Sequence, residues 1–361
     1  TTPFLDSLLE SGAAIAVRQA YSTCSNTACG VGSLLQSQPA NRLVKNGFGL
    51  PDALQAAGYR TLFLLAGNHT TFFALRNYYG RSPDLLVDGS EKPAALSTDD
   101  EWVLDELRRL PLDTRQPTFL MLHLMSSHVA GRRQPGFHRW QPDAARITDS
   151  LAVKAEAYSN NHDNGLLQAD ANIRRVVEIL ESRHMLDDSI LIVTSDHGDS
   201  MGEGGRFMHS QTVYEPEIRI PLFIIDRAAA RARTSPFRSS GAVLPDIAPT
   251  LFERIGLPVP PVWRGEPLQK SSTRQWTVHQ MGLYQGLIEW SAGKPGLKLV
   301  YQVREGRSQL FDLAADPNEM TDIAAQRRGD VARLTARLGI ELGMVTPDDP
   351  FTSSVADSVW K

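Results

Sequence analysis

Apolar residues along this chain gather into short unbroken runs rather than strict alternation. Four runs have strand length: Tyr59–Leu65, Thr118–Met125, Ile190–Val193 and Ile218–Ile225. Continuous runs of this kind are the pattern of strands covered on both faces. Ala13–Ala20 reads as a further strand. Between the runs, apolar positions repeat at helical spacing. Pro3–Ser11 reads as a helix, with Thr2 as N-cap, Pro3 at the first helical position and Gly12 at the end. Leu50–Ala57 is a short helix closed by Gly58, Asp99–Leu110 an amphipathic one, and Asp149–Arg183 a long one with a polar interruption at Asn160–Asn164. Strands alternating with helices predict an α/β fold with a central, mostly parallel sheet flanked by helices. After about Pro258 the texture changes to a proline-rich linker. Three short strands follow, Trp276–Gln280, Leu297–Val303 and Gln309–Asp312, as a small antiparallel sheet, then a helix over Arg327–Leu342. The expected organisation is a large α/β domain over 1–260 and a small C-terminal subdomain over 261–361.

Chemistry concentrates where Ile190–Val193 ends, at Ser195-Asp196-His197-Gly198. Open α/β sheets bind ligands beyond the C-terminal ends of their strands. Asp196 and His197 are adjacent, so in a regular strand they point to opposite faces. Convergence on one metal ion requires the backbone to turn, and Gly198 permits that. The glycine-rich turn Gly202–Gly205 is flexible enough to bring His209 back to the same place. Carboxylate and imidazole suit Zn²⁺, or Mn²⁺ less strongly, as one or two ions. The alternative for the Asp-His pair is an ordinary turn.

The stretch Ser22–Leu35 reads as a polar loop running into a helix. A hydroxyl at a helix start sits at the positive end of the dipole, among free backbone N–H groups, which suits a nucleophile attacking phosphorus. The alternative is that Ser25, Asn26 or Thr27 caps the helix. His123, inside its strand, reads as a core histidine. His128, just past the strand end, reads as part of a site. Arg132, Arg133, His138 and Arg139 form a local basic cluster, either a solvated loop or a contact for an anionic substrate.

The block SDHG, a Gly/Glu turn, His209 and then YEPEIRIPL resembles the alkaline phosphatase superfamily, in its sulfatase and phosphoethanolamine/phosphoglycerol transferase branches. The resemblance implies a metal held by Asp196, His197 and Thr27, with Thr27 as nucleophile and Ser25 as the fallback. It gives His128 and His209 roles in holding the transferred group, protonating the leaving group or ligating a second metal. The Asn68-His69-Thr70-Thr71-Phe72-Phe73 segment is similar to a pocket segment of lipoteichoic-acid synthases, which implies substrate contacts from Asn68, His69 and Phe73. Cys24 is followed by Ser-Asn-Thr-Ala. True sulfatases carry a Cys or Ser followed by x-Pro-x-x-Arg, converted to formylglycine, and that motif is absent here. The resemblance therefore implies a transferase moving phosphoethanolamine or phosphoglycerol from a phospholipid donor to an envelope glycan or glycolipid, through a phospho-threonine. The alternatives are a sulfatase-like phosphodiesterase or phosphonate hydrolase, to which the LFDL…DPNE segment at Leu310–Glu319 is similar, and a non-catalytic envelope-binding domain. In the family an acidic metal ligand ends a strand just ahead of the TP segment. Here that segment is Thr2-Pro3, so the first strand and ligand are expected to lie upstream, commonly with membrane helices.

Composition changes this picture little. The chain has 361 residues, 42% hydrophobic and 22% charged, which is ordinary for a globular protein. Its net charge of −4 gives no nucleic-acid footprint. No apolar run reaches the ~18 residues of a membrane span. The two cysteines, Cys24 and Cys29, leave two states open, free thiols or a small loop disulfide that implies an oxidising compartment. Taken with the resemblance, the expected setting is a monomeric domain on the periplasmic or extracytoplasmic face of the inner membrane.

Overall fold

The computed structural model describes residues 1–227 and 237–344. It has an α/β fold, a central sheet with helices and an antiparallel C-terminal sheet. The parallel part of the central sheet is Arg60–Leu65 flanked by Leu85–Asp88 and Thr118–His123. Arg60–Leu65 is buried from Thr61 to Leu65, as its unbroken apolar run requires. Ile190–Thr194 belongs to a second group, where it pairs antiparallel with Leu222–Asp226, which in turn pairs with Ile15–Ala16. A third group pairs Arg18–Tyr21 with Ser240–Val243 in parallel and with Arg219–Ile220 antiparallel.

Two strands depart from the expected burial. Every residue of Thr118–His123 and of Ile190–Thr194 is only half-buried. Each is an edge strand among the described residues, with one ladder partner instead of two. Their apolar side chains share one core, where Leu120, Leu122 and Leu191 pack against Val103, Leu104 and Val176. His123, at the end of one, acts electrostatically on Asp196, just past the end of the other.

The first helix, Pro3–Glu10, starts with Pro3, whose missing N–H is no loss in the first turn. Thr2 occupies the cap position, but its side chain makes no cap bond. The Asp170 carboxylate of the long helix Leu151–Glu181 does that work instead, accepting from the N–H of Phe4 at 2.8 Å and of Leu5 at 2.9 Å. No helix of the described residues is long and apolar enough to cross a membrane.

The C-terminal sheet has four strands, one more than expected: Trp276–Met281, Tyr284–Ser291, Lys294–Gln302 and Arg307–Asp312. It packs under the helix Arg328–Glu341 through Leu334 and Leu338. A buried charge cluster ties it to the large domain. Lys298 lies 3.0 Å from Glu215 and 2.8 Å from Glu319, and Tyr21 donates to Glu215 at 3.0 Å. Gln280 N–H donates to the Thr23 carbonyl at 2.9 Å, and His279 Nδ1–H to that of Ser22 at 2.7 Å. The sheet therefore clamps the segment that leads into the hydroxyl-rich loop.

Candidate active site

Helix Thr27–Gln36 begins with Asn26 as its cap, whose side-chain oxygen accepts from Cys29 N–H at 2.9 Å. Cys24 and Cys29 are bonded to each other, closing the loop around Ser25, Asn26 and Thr27. Gly30 is required here: a Cβ on it would lie 2.2 Å from the Asp196 carbonyl oxygen. Only a glycine lets the first turn of this helix rest against the end of the Ile190–Thr194 strand. Thr27 consequently lies beside His197 and Asp196.

His197 Nδ1–H donates to the Gly198 carbonyl at 2.9 Å. That bond leaves the Nε2 lone pair free, and Nε2 lies 3.4 Å from Thr27 Oγ1. Asp196 Oδ2 is 3.6 Å from the same Nε2, too long for a hydrogen bond, and this oxygen is buried without a hydrogen-bond partner. Burial works against the Asp196 charge, but His197, His123 and the Thr27 hydroxyl outweigh it and hold its pKa well below the usual carboxylate range. A buried, ionised oxygen without a partner is the environment a cation satisfies. The turn at Gly198 has a different cause from the one expected. The glycine is needed for close approach, since a Cβ would lie 2.2 Å from the Pro216 carbonyl oxygen.

The glycine turn does return His209 to the site. The His197 and His209 rings lie 4.2 Å apart and those of His128 and His209 5.2 Å apart. The two outer histidines are held in opposite states. His209 Nδ1 bonds Asp199 Oδ1 at 2.7 Å, and although burial opposes its charge, Asp199 raises its pKa. His128 Nδ1 accepts from Ala130 N–H at 2.9 Å, so its neutral ring carries the proton on Nε2. Burial, reinforced by His209, lowers its pKa to about 4. Paired groups pushed apart in this way mark an acid and a neutral donor.

Asp199 was missed by sequence reasoning, although it stands two positions from His197 and an extended stretch puts such positions on one face. His197, Asp199 and His209 form a group able to hold a metal ion, their ligand atoms all within 4.8 Å of one another. Ser25 drops out as a nucleophile: it is fully buried and its Oγ donates to the Thr212 carbonyl at 2.7 Å. His69 is also buried and satisfied, with Nδ1 bonded to Tyr79 Oη at 2.6 Å and Nε2 to the Ala66 carbonyl at 3.0 Å. It positions a loop and offers no free nitrogen to a substrate. Asn68 donates to Thr71 Oγ1 at 2.7 Å, and Phe73 stands 76% exposed. The basic cluster is largely spent on internal partners. Arg133 donates to Ser126 O and Asn161, Arg132 lies 3.4 Å from Asp99, and His138 lies 2.6 Å from Asp143.

The strand ends thus gather one hydroxyl, two carboxylates and three imidazoles, donor types that a metal ion takes. Residues 1–257 match the family described as Sulfatase, and the chain belongs to that family. Among curated relatives it is similar to a choline-sulfatase of Rhizobium meliloti (strain 1021), 31% identical over 189 residues. That match takes in 46% of this chain and 33% of the relative. It is similar to an N-acetylglucosamine-6-O-sulfatase of Bacteroides thetaiotaomicron, 28% identical over 188 residues, covering 48% and 33%. The match thus spans about a third of the length of these relatives. Among solved structures, a phosphonate monoester hydrolase from Silicibacter pomeroyi superposes with TM-score 0.70 at 16% identity, covering 97% of this chain and 92% of that one. A different solved protein, bound to its substrate D-glucosamine-2-N,6-O-disulfate, gives TM-score 0.73 at 16% identity over 97% of this chain and 94% of that one.

These relatives overturn the expected phospholipid transferase: they are named as sulfatases and as a phosphonate monoester hydrolase. The misreading has a physical origin. The motif SDHG, the turn and His209 read as contacts to a metal and to the transferred group, features that hydrolases and transferases have in common, and such a motif carries nothing about the acceptor.

Proposed function

We propose that the chain carries the site of a metal-dependent hydrolase of phosphorus esters, a phosphodiesterase or phosphonate monoester hydrolase, with Thr27 as nucleophile. The observation that carries this reading is the Thr27 hydroxyl at a helix start, 3.4 Å from His197 Nε2 and beside the unpartnered Asp196 Oδ2. Cys24 is spent in a disulfide, so a cysteine-derived nucleophile has no counterpart here. Asp196, His197 and Thr27 supply N and O donors of the kind that Zn²⁺ or Mn²⁺ takes. A divalent ion held by Asp196 and His197 would lower the pKa of the Thr27 hydroxyl and so let it lose its proton to solvent.

Thr27 Oγ then attacks phosphorus as the ester P–O bond breaks. His209, its Nδ1–H held by Asp199, gives its Nε2 proton to the departing alcohol. His128, with Nε2–H, donates to a non-bridging oxygen. Water next attacks phosphorus, loses its proton to His209, and displaces Thr27. The Cys24–Cys29 bridge supports an oxidising, extracytoplasmic setting.

The test is turnover of bis-p-nitrophenyl phosphate, p-nitrophenyl phenylphosphonate and p-nitrophenyl sulfate with added Zn²⁺ or Mn²⁺. Release from the phosphorus esters, abolished by Thr27→Ala, is expected. Turnover of the sulfate ester alone, or an unimpaired Thr27→Ala variant, rejects the proposal.

A further inference from the structure

Glu217 is fully buried and contacts none of the candidate site residues through its carboxylate. All four hydrogen bonds of its carboxylate nevertheless go to segments that carry them. Oε2 accepts from Gln211 N–H and Thr212 N–H, both at 3.0 Å, just after His209. Oε1 accepts from Thr212 Oγ1 at 2.7 Å and from Ser200 Oγ at 3.2 Å, the latter just after Asp199. Its backbone carbonyl accepts from Gly198 N–H at 2.9 Å, beside His197. The same His209 segment reaches the Thr27 loop. Ser25 Oγ donates to the Thr212 carbonyl at 2.7 Å, and Ser210 N–H to the Ser25 carbonyl at 2.8 Å.

We infer that Glu217 is a positioning residue that holds the Thr27, His197/Asp199 and His209 segments in mutual register. The inference rests on the proposed function for the roles of Thr27 and His209. Thr27 opens a helix, and the Asp199 and His209 segments pair directly only through the two-residue ladder Ser200–Met201 with Phe207–Met208, so a shared anchor is needed to hold all three together. A carboxylate is the one side chain that takes two backbone N–H groups on one oxygen and two hydroxyls on the other. Its geometry therefore carries the function.

Two variants separate geometry from charge. Glu217→Gln keeps the shape: its amide oxygen faces the two N–H groups, and its NH₂ faces hydroxyls that rotate to accept. Glu217→Asp keeps the charge but withdraws it by one methylene, too short to span both ends. Glu217→Gln is expected to retain kcat on bis-p-nitrophenyl phosphate within about threefold. Glu217→Asp should lose about tenfold or more, the equivalent of roughly two hydrogen bonds, with KM nearly unchanged. The reverse order, or no loss in either variant, overturns the inference. Hydrogen exchange followed by mass spectrometry gives a readout independent of turnover. In Glu217→Asp, exchange should accelerate together over 22–27, 196–201 and 207–213, with Arg60–Leu65 unchanged. Acceleration confined to 207–213, or none, refutes the coupling. If the wild-type chain turns over no ester, the proposed function fails, and the exchange pattern still decides the role of Glu217.

Discussion

Replacing Cys24 and Cys29 together by alanine opens the loop in which Thr27 is held. The bridge spans a sequence separation of five. For a closed loop of about five residues, the chain-entropy relation gives about 7 cal/mol/K, or about 2 kcal/mol at 25 °C. Unfolding entropy near 2.1 cal/mol/K per residue amounts to about 0.76 kcal/mol/K for this chain of 361 residues, so the expected drop in Tm is about 3 °C. The catalytic cost should be far larger. Without the bridge the helix start is fixed by the Asn26 cap and by the seat of Gly30 against Asp196, while Ser22–Asn26 is freed at one end. A displacement of Thr27 by about 1 Å costs roughly a hundredfold in rate. Thermal unfolding and kcat on bis-p-nitrophenyl phosphate, measured on the same preparation, check both numbers. A Tm drop beyond about 10 °C makes the bridge a staple of the whole fold, and kcat within twofold of wild type means that it does not position Thr27. Either result refutes the reasoning.

Thr27→Ser should keep activity within about tenfold and Thr27→Ala should remove it, with mass spectrometry finding the remaining half of the substrate, a phosphoryl group still bearing its second substituent, on residue 27 of the wild type and of Thr27→Ser but not of Thr27→Ala; the same group elsewhere reassigns the nucleophile. Asp199→Asn should lower kcat about ten- to a hundredfold for alkyl esters and less than threefold for nitrophenyl esters, whose leaving groups need no proton. Equal losses would remove His209 from the role of acid. Asp88 gives a pH test of the loop at Asn68–Phe73. Burial opposes its charge, but bonds from Ser90, Thr70 and His69 outweigh that and lower its pKa. A depressed carboxylate pKa contributes stability above the ordinary value and loses it as pH falls through the folded one. The Tm gap between wild type and Asp88→Asn should therefore be full at pH 7 and close below about pH 4; a gap that does not vary with pH contradicts this.

What the sequence revealed and what it hid follow from range. The SDHG strand end, the glycine turn and the helix start at Thr27 are local patterns, and the structure brings Asp196, His197, Thr27, His209 and His128 into one neighbourhood. Contacts between distant segments left no local trace. Ser25 looked as available as Thr27 until the Thr212 carbonyl, 187 positions away, took its hydroxyl. His69 looked like a pocket residue, but its imidazole is consumed by Tyr79 and Ala66. The strand Tyr284–Ser291 was missed because Gly286 and Glu289 break its apolar run, and its pairing with both neighbours overrides that weak signal.

The fate of the basic residues bears on how an anionic ester is recognised. Arg132, Arg133 and His138 looked like a receptor for negative charge, yet each is engaged by Asp99, Ser126 and Asn161, or Asp143. The residues that remain at the strand ends include two carboxylates, Asp196 and Asp199, together with His209, whose pKa is raised, and His128, whose pKa is lowered. By itself this set repels a phosphate ester. The negative charge of the site therefore suits a cation first and the ester second, and the unpartnered Asp196 Oδ2 has the same requirement. Ester affinity should accordingly rise with divalent ion concentration at fixed ionic strength. Simple screening predicts the opposite, a dependence on ionic strength whatever the valence of the salt. Titrating Zn²⁺ or Mn²⁺ against KM in a constant background of NaCl separates the two. A KM indifferent to the divalent ion would mean that some cationic side chain, and not a bound metal, receives the ester.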